Sequence, residues 1–85
     1  MKLIFHAQAW DDYLYWQRQD RKLLKRLNGL IQECCRTPFE GTGKPEPLKG
    51  NWTGYWSRRI TQEHRLIYKV KDDCIFIAMC RMHYE

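Results

Sequence analysis

The chain has 85 residues, a formal net charge of +5 and 44% hydrophobic residues. This length predicts a single domain with a small core, and the hydrophobic content excludes an intrinsically disordered chain. The positive charge favours a polyanionic partner, RNA or DNA first, although an acidic protein also fits. No apolar run approaches the roughly 20 residues of a membrane-spanning helix, so we expect no membrane partner.

The four cysteines match neither a disulfide framework nor a structural zinc site. Cys34 and Cys35 are neighbours, which is poor geometry for a disulfide. A lone Cys-x-x-His spacing, from Cys80 to His83, does not make the two Cys-x-x-Cys pairs of a typical zinc site. We therefore expect buried reduced thiols, no metal or cofactor, and a cytoplasmic location.

A short strand and a helix are predicted first. Residues 2–5 are β-prone, and residues 7 to about 19 show helical spacing of apolar side chains. The predicted stripe consists of Trp10, Tyr13, Leu14 and Gln17. We expect the aromatic rings at positions 10, 13 and 16 to pack in the core. Asp11 and Asp12 are predicted to lie in the first turn, where carboxylates complement the helix dipole.

A second helix is predicted to follow Asp20, its N-cap residue, and to end before Pro38. Its apolar positions form a continuous helical stripe of Leu23, Leu24, Leu27, Leu30, Ile31 and Cys34. The opposite side is positively charged, with Arg21, Lys22, Lys25 and Arg26. Such a side is usually only solvated, and contact with phosphate groups is the less common alternative. The two helices would form an antiparallel hairpin.

A loop of residues 39–53 precedes three predicted strands, residues 55–60, 65–70 and 74–81. The strands form an antiparallel meander covered on one face by the helical hairpin, which gives an α+β fold of order β-α-α-β-β-β. The last strand is almost continuously apolar, and this predicts a central strand buried on both faces. The uncovered face of the sheet is expected to be concave and basic.

The register of the first hairpin decides which arginines share a face of the sheet. If the connection between the strands has an odd number of residues, Arg59 points the same way as Arg65. If the connection is a two-residue turn, Arg58 does so instead. The amino-acid sequence leaves both registers open.

Several side chains match the metal-independent cleavage of RNA, in which the 2′-hydroxyl is the nucleophile. The reaction needs a general base, a general acid and cations that stabilise the extra negative charge on phosphorus. Glu46 is the candidate base, held on stiff extended backbone by Pro45 and Pro47. His83 is the candidate acid because histidine titrates near neutrality. Arg65 is the candidate charge stabiliser. A solvated loop carboxylate without function is an equally good interpretation of Glu46.

Further cations and rings surround these candidates. Lys49 and Arg59 add positive charge, and Tyr84 is the ring that we expect to stack on an RNA base. Trp56 and Tyr68 are expected to be structural.

Six blocks of sequence resemble, in the same order, those of the YoeB toxins of the RelE superfamily. They are residues 10–13 (WDDY), 36–41 (RTPFEG), 43–49 (GKPEPLK), 54–60 (GYWSRRI), 63–66 (EHRL) and 80–84 (CRMHY). The resemblance spans residues 1–85 and implies one compact domain similar to RelE and the microbial ribonucleases. It also implies the register that places Arg59 beside Arg65.

The resemblance implies a ribosome-dependent endoribonuclease, or mRNA interferase, that cuts mRNA in the ribosomal A site without a metal and so inhibits translation. It implies a cyclic phosphate or 3′-phosphate and a 5′-hydroxyl as products. The catalytic positions of the family fall on Glu46 as base, His83 as acid and Arg65 as transition-state stabiliser. The substrate-binding positions of the family fall on Lys49, Arg59 and Tyr84.

The resemblance implies three kinds of partner for a bacterial cytoplasmic toxin. The first is a YefM-type antitoxin whose acidic C-terminal segment wraps the toxin, in a complex that binds operator DNA and represses its own operon. The second is the 70S ribosome, with its 16S rRNA and A-site mRNA. The third is a second copy of the toxin in a homodimer.

Two alternative functions are also considered for this amino-acid sequence. A ParE-like inhibitor of DNA gyrase is disfavoured because that branch of the superfamily lacks the set of Glu46, Arg65 and His83. A simple RNA-binding module would bind in a salt-dependent way without cleavage. The chain also departs from the family by ending in Glu85 after Tyr84, and this added carboxylate is expected to raise the pKa of His83 slightly.

Overall fold

Two helices and five strands make up the computed structural model, which describes residues 1–82 and leaves residues 83–85 outside the description. In chain order the elements are β1 (Lys2–Phe5), α1 (Ala7–Gln19), α2 (Arg21–Arg36), β2 (Glu46–Pro47), β3 (Trp56–Arg59), β4 (Arg65–Lys71) and β5 (Cys74–Met79). A short 3-10 helix, Gly50–Trp52, lies between β2 and β3. Neither α1 nor α2 is long and apolar enough to cross a membrane.

The five strands form one mixed sheet in the order β1-β5-β4-β3-β2. β3, β4 and β5 are the predicted antiparallel meander, and β2 extends it at the edge. β1 pairs in parallel with β5, and Lys2 lies opposite Cys74. The α+β class and the two-helix hairpin are therefore confirmed, and the parallel strand and the β2 edge are additions to the predicted fold.

The apolar stripe of α2 packs on one face of this sheet, as its spacing predicts. The buried residues of the helix are Leu23, Leu27, Leu30, Ile31 and Cys34. The side chain of Asp20 accepts a hydrogen bond from the Leu23 amide at 3.0 Å, so the predicted N-cap is confirmed. The sheet contributes Leu66, Tyr68, Ile75 and Ile77 to the same core. Full burial of one such aliphatic side chain stabilises by about 1.5–3 kcal/mol.

α1 turns a different side to the core than the sequence predicts. Its buried residues are Ala9, Asp12 and Trp16, whereas Trp10 is 48% exposed and packs on Phe5 and Tyr13 at the surface. Rings occur on several sides of this helix, so their spacing alone does not define its orientation. Because the helix begins at Ala7, Asp11 and Asp12 lie beyond the first turn, and the predicted interaction of both carboxylates with its dipole is wrong.

β5 is buried on one face only, contrary to the prediction. Ile75 and Ile77 are buried against the helices, while Phe76 on the other face is half-buried. Ile67 of β4 pairs with Met79 and Tyr68 pairs with Ile77, so Ala78 is an additional residue in β5 and forms a β-bulge. After the bulge, Cys80 is buried in the core.

All four cysteines are free thiols. The prediction of burial is confirmed for Cys34 and Cys80. It is wrong for Cys35 and Cys74, which are half-buried, because Cys35 lies next to the buried stripe of α2 and Cys74 is the first residue of β5, directly after a turn.

Candidate active site

The face of the sheet that points away from the helices carries three of the predicted site residues. Arg59 lies directly opposite Arg65. Glu46 lies opposite Ser57, which in turn lies opposite Ile67. Directly opposed residues of antiparallel strands place their side chains on the same face, and so do residues two apart along one strand. Glu46, Arg59 and Arg65 therefore share one face, which we call the open face.

The observed register removes the ambiguity of the sequence. Five residues, 60–64, connect β3 to β4, and this odd number pairs Arg59 rather than Arg58 with Arg65. Adjacent strands lie ~4.8 Å apart and the rise per residue is ~3.4 Å, so the Cα atoms of Glu46 and Arg65 are about 12 Å apart.

Glu46 is presented on an edge strand rather than in an irregular loop. β2 is only two residues long, and Pro47 is tolerated there because an edge strand leaves one side of its backbone unpaired. The residues on either side of β2 are hydrogen-bonded to β3 and to the residue before it. The Arg59 amide donates to the Gly43 carbonyl at 2.7 Å, and the Leu48 amide donates to the Tyr55 carbonyl at 2.9 Å. The Glu46 side chain remains exposed.

Arg65 is half-buried, and its own hairpin orients it. Nη1 of Arg65 donates to the carbonyl oxygens of Thr61, Gln62 and His64 at 2.8, 3.1 and 3.1 Å. Within residues 1–82, its side-chain hydrogen bonds all come from this one nitrogen. The remaining N–H groups of the guanidinium are the ones available to a phosphate.

The other basic residues of this region are more accessible. Arg59 and Lys49 are exposed, and Lys49 precedes the 3-10 helix. Lys69, opposite Phe76 on the open face, lies over the rings of Tyr55 and Phe76, with Nζ 5.1 and 5.5 Å from their centroids. Lys69 was not among the predicted site residues. Lys69 lies two residues after Ile67 and four after Arg65, and side chains at even spacing along a strand share one face. This spacing could have predicted its position on the open face.

The segment after β5 is fastened next to Arg65. The Cys80 amide donates to Oδ2 of the buried Asp12 at 3.0 Å, and Nε1 of Trp16 donates to the Cys80 carbonyl at 2.8 Å. Two residues later, the Met82 amide donates to Nδ1 of His64 at 2.7 Å, and the Met82 carbonyl accepts from the Arg65 amide at 3.0 Å. These bonds place Met82, the residue before His83, next to the backbone of Arg65.

Next to Arg59, Arg58 points to the helix side and is fully buried. It forms an ion pair with Glu33 and donates a hydrogen bond to the Tyr68 hydroxyl at 3.2 Å. A hydrogen bond from the Thr42 amide is the main cause that lowers the pKa of Glu33. Burial opposes the charge of Arg58, but its bond to Tyr68 and the surrounding acidic groups outweigh this and raise its pKa. Burial raises the pKa of Tyr68 to about 12.

Comparison with known proteins identifies the family of this chain. The family model described as "YoeB-like toxin of bacterial type II toxin-antitoxin system" matches residues 5–84. The toxin YoeB of Escherichia coli K12 is 62% identical over 84 residues, which cover 99% of this chain and 100% of that protein. This chain is a member of the YoeB toxin family.

Solved structures of YoeB toxins share the whole fold. A YoeB/ParE toxin from Agrobacterium tumefaciens matches with a TM-score of 0.96 and 51% identity, over 99% of this chain and 100% of that one. A YoeB toxin from Staphylococcus aureus matches with TM-scores of 0.90 and 0.91 and 49% identity, over 99% of this chain and 98% of that one. The Staphylococcus toxin has been solved as a heterotetramer with YefM and as a dimer.

For this YoeB-family toxin, the structure brings together part of the predicted site. Glu46, Arg59 and Arg65 share the open face, and Lys49 follows shortly after Glu46. His83 and Tyr84, the predicted acid and base-stacking ring, lie outside the described residues, as does Glu85. The roles of all six candidate residues stay predictions.

Two supporting residues were missed by sequence reasoning. Arg58 and Asp12 are buried, whereas Arg58 was considered only as an alternative neighbour of Arg65 and Asp12 only as a carboxylate in the first turn of α1. Charged residues are almost never buried unless they are paired, and the partners, Glu33 and Cys80, are distant in sequence. The only sequence feature that could have indicated burial is the position of Arg58 in the strand, where its side chain points to the opposite face from Ser57 and Arg59.

The charged side of α2 lines a groove on the helix side of the molecule. This groove of about 480 Å³ is lined by Lys22, Lys25, Arg26, Gly29, Leu30, Glu33 and Thr42. It is separate from the open face. Contact of these lysines with phosphate groups therefore stays a prediction independent of the candidate active site.

Proposed function

We propose that this YoeB-family toxin is a ribosome-dependent endoribonuclease that cleaves mRNA in the ribosomal A site and thereby inhibits translation. The observation that carries the proposal is the shared face of Glu46, Arg59 and Arg65, next to the segment that leads to His83. A carboxylate, two cations and a titratable histidine are the groups that this reaction requires. Family membership supports the same conclusion.

In the proposed reaction, Glu46 removes the proton of the RNA 2′-hydroxyl. The 2′-oxygen attacks the adjacent phosphorus, and Arg65 stabilises the negative charge that develops on the phosphoryl oxygens. The bond from phosphorus to the 5′-oxygen then breaks, and His83 gives its proton to that oxygen. The products are a 2′,3′-cyclic phosphate, which water opens to a 3′-phosphate, and a free 5′-hydroxyl.

The exposed cations and Tyr84 bind and orient the substrate in this proposal. Arg59 and Lys49 contact phosphate groups, and Tyr84 stacks on an unpaired base. Each positioned acid or base contributes roughly 10²–10⁴-fold in rate, and each well-placed charge-stabilising donor contributes roughly 10²–10³-fold. The scheme assigns every proton transfer to a side chain, so it predicts metal-independent cleavage.

We also propose the partners of the family for this chain. A YefM-type antitoxin with an acidic segment fits the net charge of +5 and covers the open face, and the complex represses its own operon through operator DNA. A homodimer is proposed from the solved Staphylococcus dimer. The ribosomal partner places the activity in the bacterial cytoplasm.

Mapping of mRNA ends after addition of the protein to translating ribosomes tests the function. We expect cleavage within the A-site codon that produces 5′-hydroxyl ends, and persistence of cleavage when EDTA is balanced by the magnesium that ribosomes need. Glu46→Ala, Arg65→Ala and His83→Ala should abolish cleavage while circular dichroism shows a native fold. Full toxicity of all three variants, or inhibition of DNA gyrase instead of cleavage, would contradict the proposal.

A further inference from the structure

All five N–H groups of the buried Arg58 are matched by acceptors. Nη1 donates to Oε2 of Glu33 and to the Thr42 carbonyl, the latter at 3.2 Å. Nη2 donates to the Thr37 carbonyl and to the Glu40 carbonyl, the latter at 2.8 Å. Nε donates to the Tyr68 hydroxyl at 3.2 Å. An arginine has five such donors in a rigid fork, so this site uses its full capacity.

Three of these acceptors are backbone carbonyls of one segment, residues 37–42, and the other partners of Arg58 bind the same segment. Glu33 accepts hydrogen bonds from the amide and the hydroxyl of Thr42 at 2.7 and 3.1 Å. The Tyr68 hydroxyl donates to the Pro38 carbonyl. Arg58, Glu33 and Tyr68 therefore close the segment around one guanidinium, and we call these three residues the clamp.

The backbone geometry of the segment matches its tight closure. Gly41 has φ of +118°, and a Cβ atom at this position would lie 2.7 Å from Oε2 of Glu33. Gly43 has φ of +87°, and its Cβ atom would lie 3.1 Å from the Arg59 carbonyl. Both positions require glycine because the chain passes close to the clamp or to β3 with left-handed backbone.

The clamp is connected to the candidate base by a very short path. Arg58 holds residues 37–42 with its side chain, and the next residue, Arg59, holds Gly43 with its amide. After Gly43 only Lys44 and Pro45 precede Glu46. Lys44 has φ of +52°, and Pro45 has a fixed φ, so little freedom remains between the clamp and Glu46.

We propose that Arg58 is a positioning residue for Glu46: it holds residues 37–42, directly and through Glu33 and Tyr68, so that the exposed carboxylate is aimed across the open face at the RNA 2′-hydroxyl. This inference rests on the proposed function of Glu46 as general base. Arg58 itself touches no substrate, since it lies on the helix side of the sheet. Its effect is on the geometry of proton transfer and not on ribosome binding.

Arg58→Lys is the most informative variant because it keeps the charge and reduces five donors in a fixed fork to three on a flexible stem. A displacement of about 1 Å at a reacting group lowers rates by roughly 10²-fold. We therefore expect the single-turnover cleavage rate on programmed ribosomes to fall about 10- to 100-fold, while the ribosome concentration at half-saturation changes less than about twofold. Glu33→Gln should act in the same direction.

Ile75→Ala is the matched control for loss of stability. Ile75 is a buried core residue on β5, next to β1 and far from β2 in the sheet. Rates are compared at equal folded fraction, measured by circular dichroism at the assay temperature. Retention of the wild-type rate by Ile75→Ala, together with the loss in Arg58→Lys, supports positioning. A wild-type rate for folded Arg58→Lys, or an equal loss in Ile75→Ala, overturns it.

Hydrogen exchange provides a readout that does not depend on cleavage. The amides of Thr42 and Arg59 donate to Glu33 and Gly43, so their protection should decrease in Arg58→Lys and not in Ile75→Ala. Unchanged protection would overturn the clamp. Absence of cleavage by the wild-type protein would overturn the proposed function, whereas normal cleavage by Arg58→Lys would overturn this inference alone.

Discussion

Arg58 and Arg59 are consecutive residues of β3, and their side chains lie in opposite environments. Arg58 is 0% exposed, is paired with Glu33 and has an acceptor for each of its donors. Arg59 is exposed on the open face beside Arg65. The pleat of the strand produces this difference, since neighbouring side chains point to opposite faces. Arg58 thus stabilises the fold, and Arg59 takes part in the proposed chemistry. Only the register of the hairpin determines which of the two arginines has which role.

Replacement of Arg58 should have the largest effect on stability. Arg58→Met leaves Glu33, the Tyr68 hydroxyl and three carbonyl groups without their donor, and each buried group that loses its hydrogen-bond partner costs about 1–3 kcal/mol. Urea denaturation followed by circular dichroism measures this change. A loss below about 1 kcal/mol would show that the segment of residues 37–42 finds other partners.

The same substitution one residue later should leave stability almost unchanged. Arg59→Met removes an exposed side chain, for which a change within about 0.5 kcal/mol is expected. Cleavage on programmed ribosomes should nevertheless decrease by roughly 10²-fold, because a charge that faces the phosphates is lost. Equal stability losses for Arg58→Met and Arg59→Met would contradict the contrast between the two residues.

Asp11 and Asp12 of α1 are a second pair of consecutive residues with opposite surroundings. Asp12 is 3% exposed and accepts a hydrogen bond from the Cys80 amide, whereas Asp11 is exposed. Asp12→Ala should cost about 1–3 kcal/mol, since a buried amide loses its acceptor. Asp11→Ala should change stability by less than about 0.5 kcal/mol. Thermal unfolding of both variants measures the difference, and a neutral Asp12→Ala would remove Asp12 from the support of the chain end.

Alkaline pH should weaken the buried side of the sheet gradually. Burial raises the pKa of Cys34 from 9.0 to about 11, that of Cys80 from 9.0 to about 12, and that of Tyr68 from 10.0 to about 12. A raised pKa means that the folded state favours the protonated form of the group. The contribution of each such group to the free energy of unfolding is therefore complete below pH 9 and is lost as pH rises towards 12.

Urea denaturation between pH 8 and 11 measures this loss of stability. Near pH 9 it should be smaller than the effects expected for the Arg58, Arg59 and Asp12 variants. The double variant Cys34→Ala/Cys80→Ala should lose the part of the decline that begins at pH 9 and keep the part due to Tyr68. A decline that is identical in the wild type and this variant would show that the two thiols do not cause it.

Local patterns were sufficient to predict most of the secondary structure. The stripe of α2 has the correct spacing and an N-cap, and β4 and β5 are rich in β-formers, so their predicted ends agree with the structure to within about two residues. β2 was missed because two prolines flank Glu46, and proline disfavours strands except at an edge. The orientation of α1 was missed because its rings lie on several sides.

The candidate site depends more on tertiary contacts than the strands do. Glu46 and Arg65 were named from chemistry and from family resemblance, but their shared face depends on a five-residue hairpin connection that propensity does not specify. The burial of Arg58 depends on Glu33, which is 25 residues earlier in the chain. Such a partner becomes visible only once α2 is packed on the sheet.

The parallel pairing of β1 with β5 has a consequence for the synthesis of this toxin. Lys2 pairs with Cys74, so the sheet is incomplete until nearly all of the chain has left the ribosome that makes it. Contacts between residues so far apart in sequence form late and slow folding. The sheet therefore cannot be completed until residues 74–77 have been synthesised, so the toxin acquires its full fold late in its own synthesis.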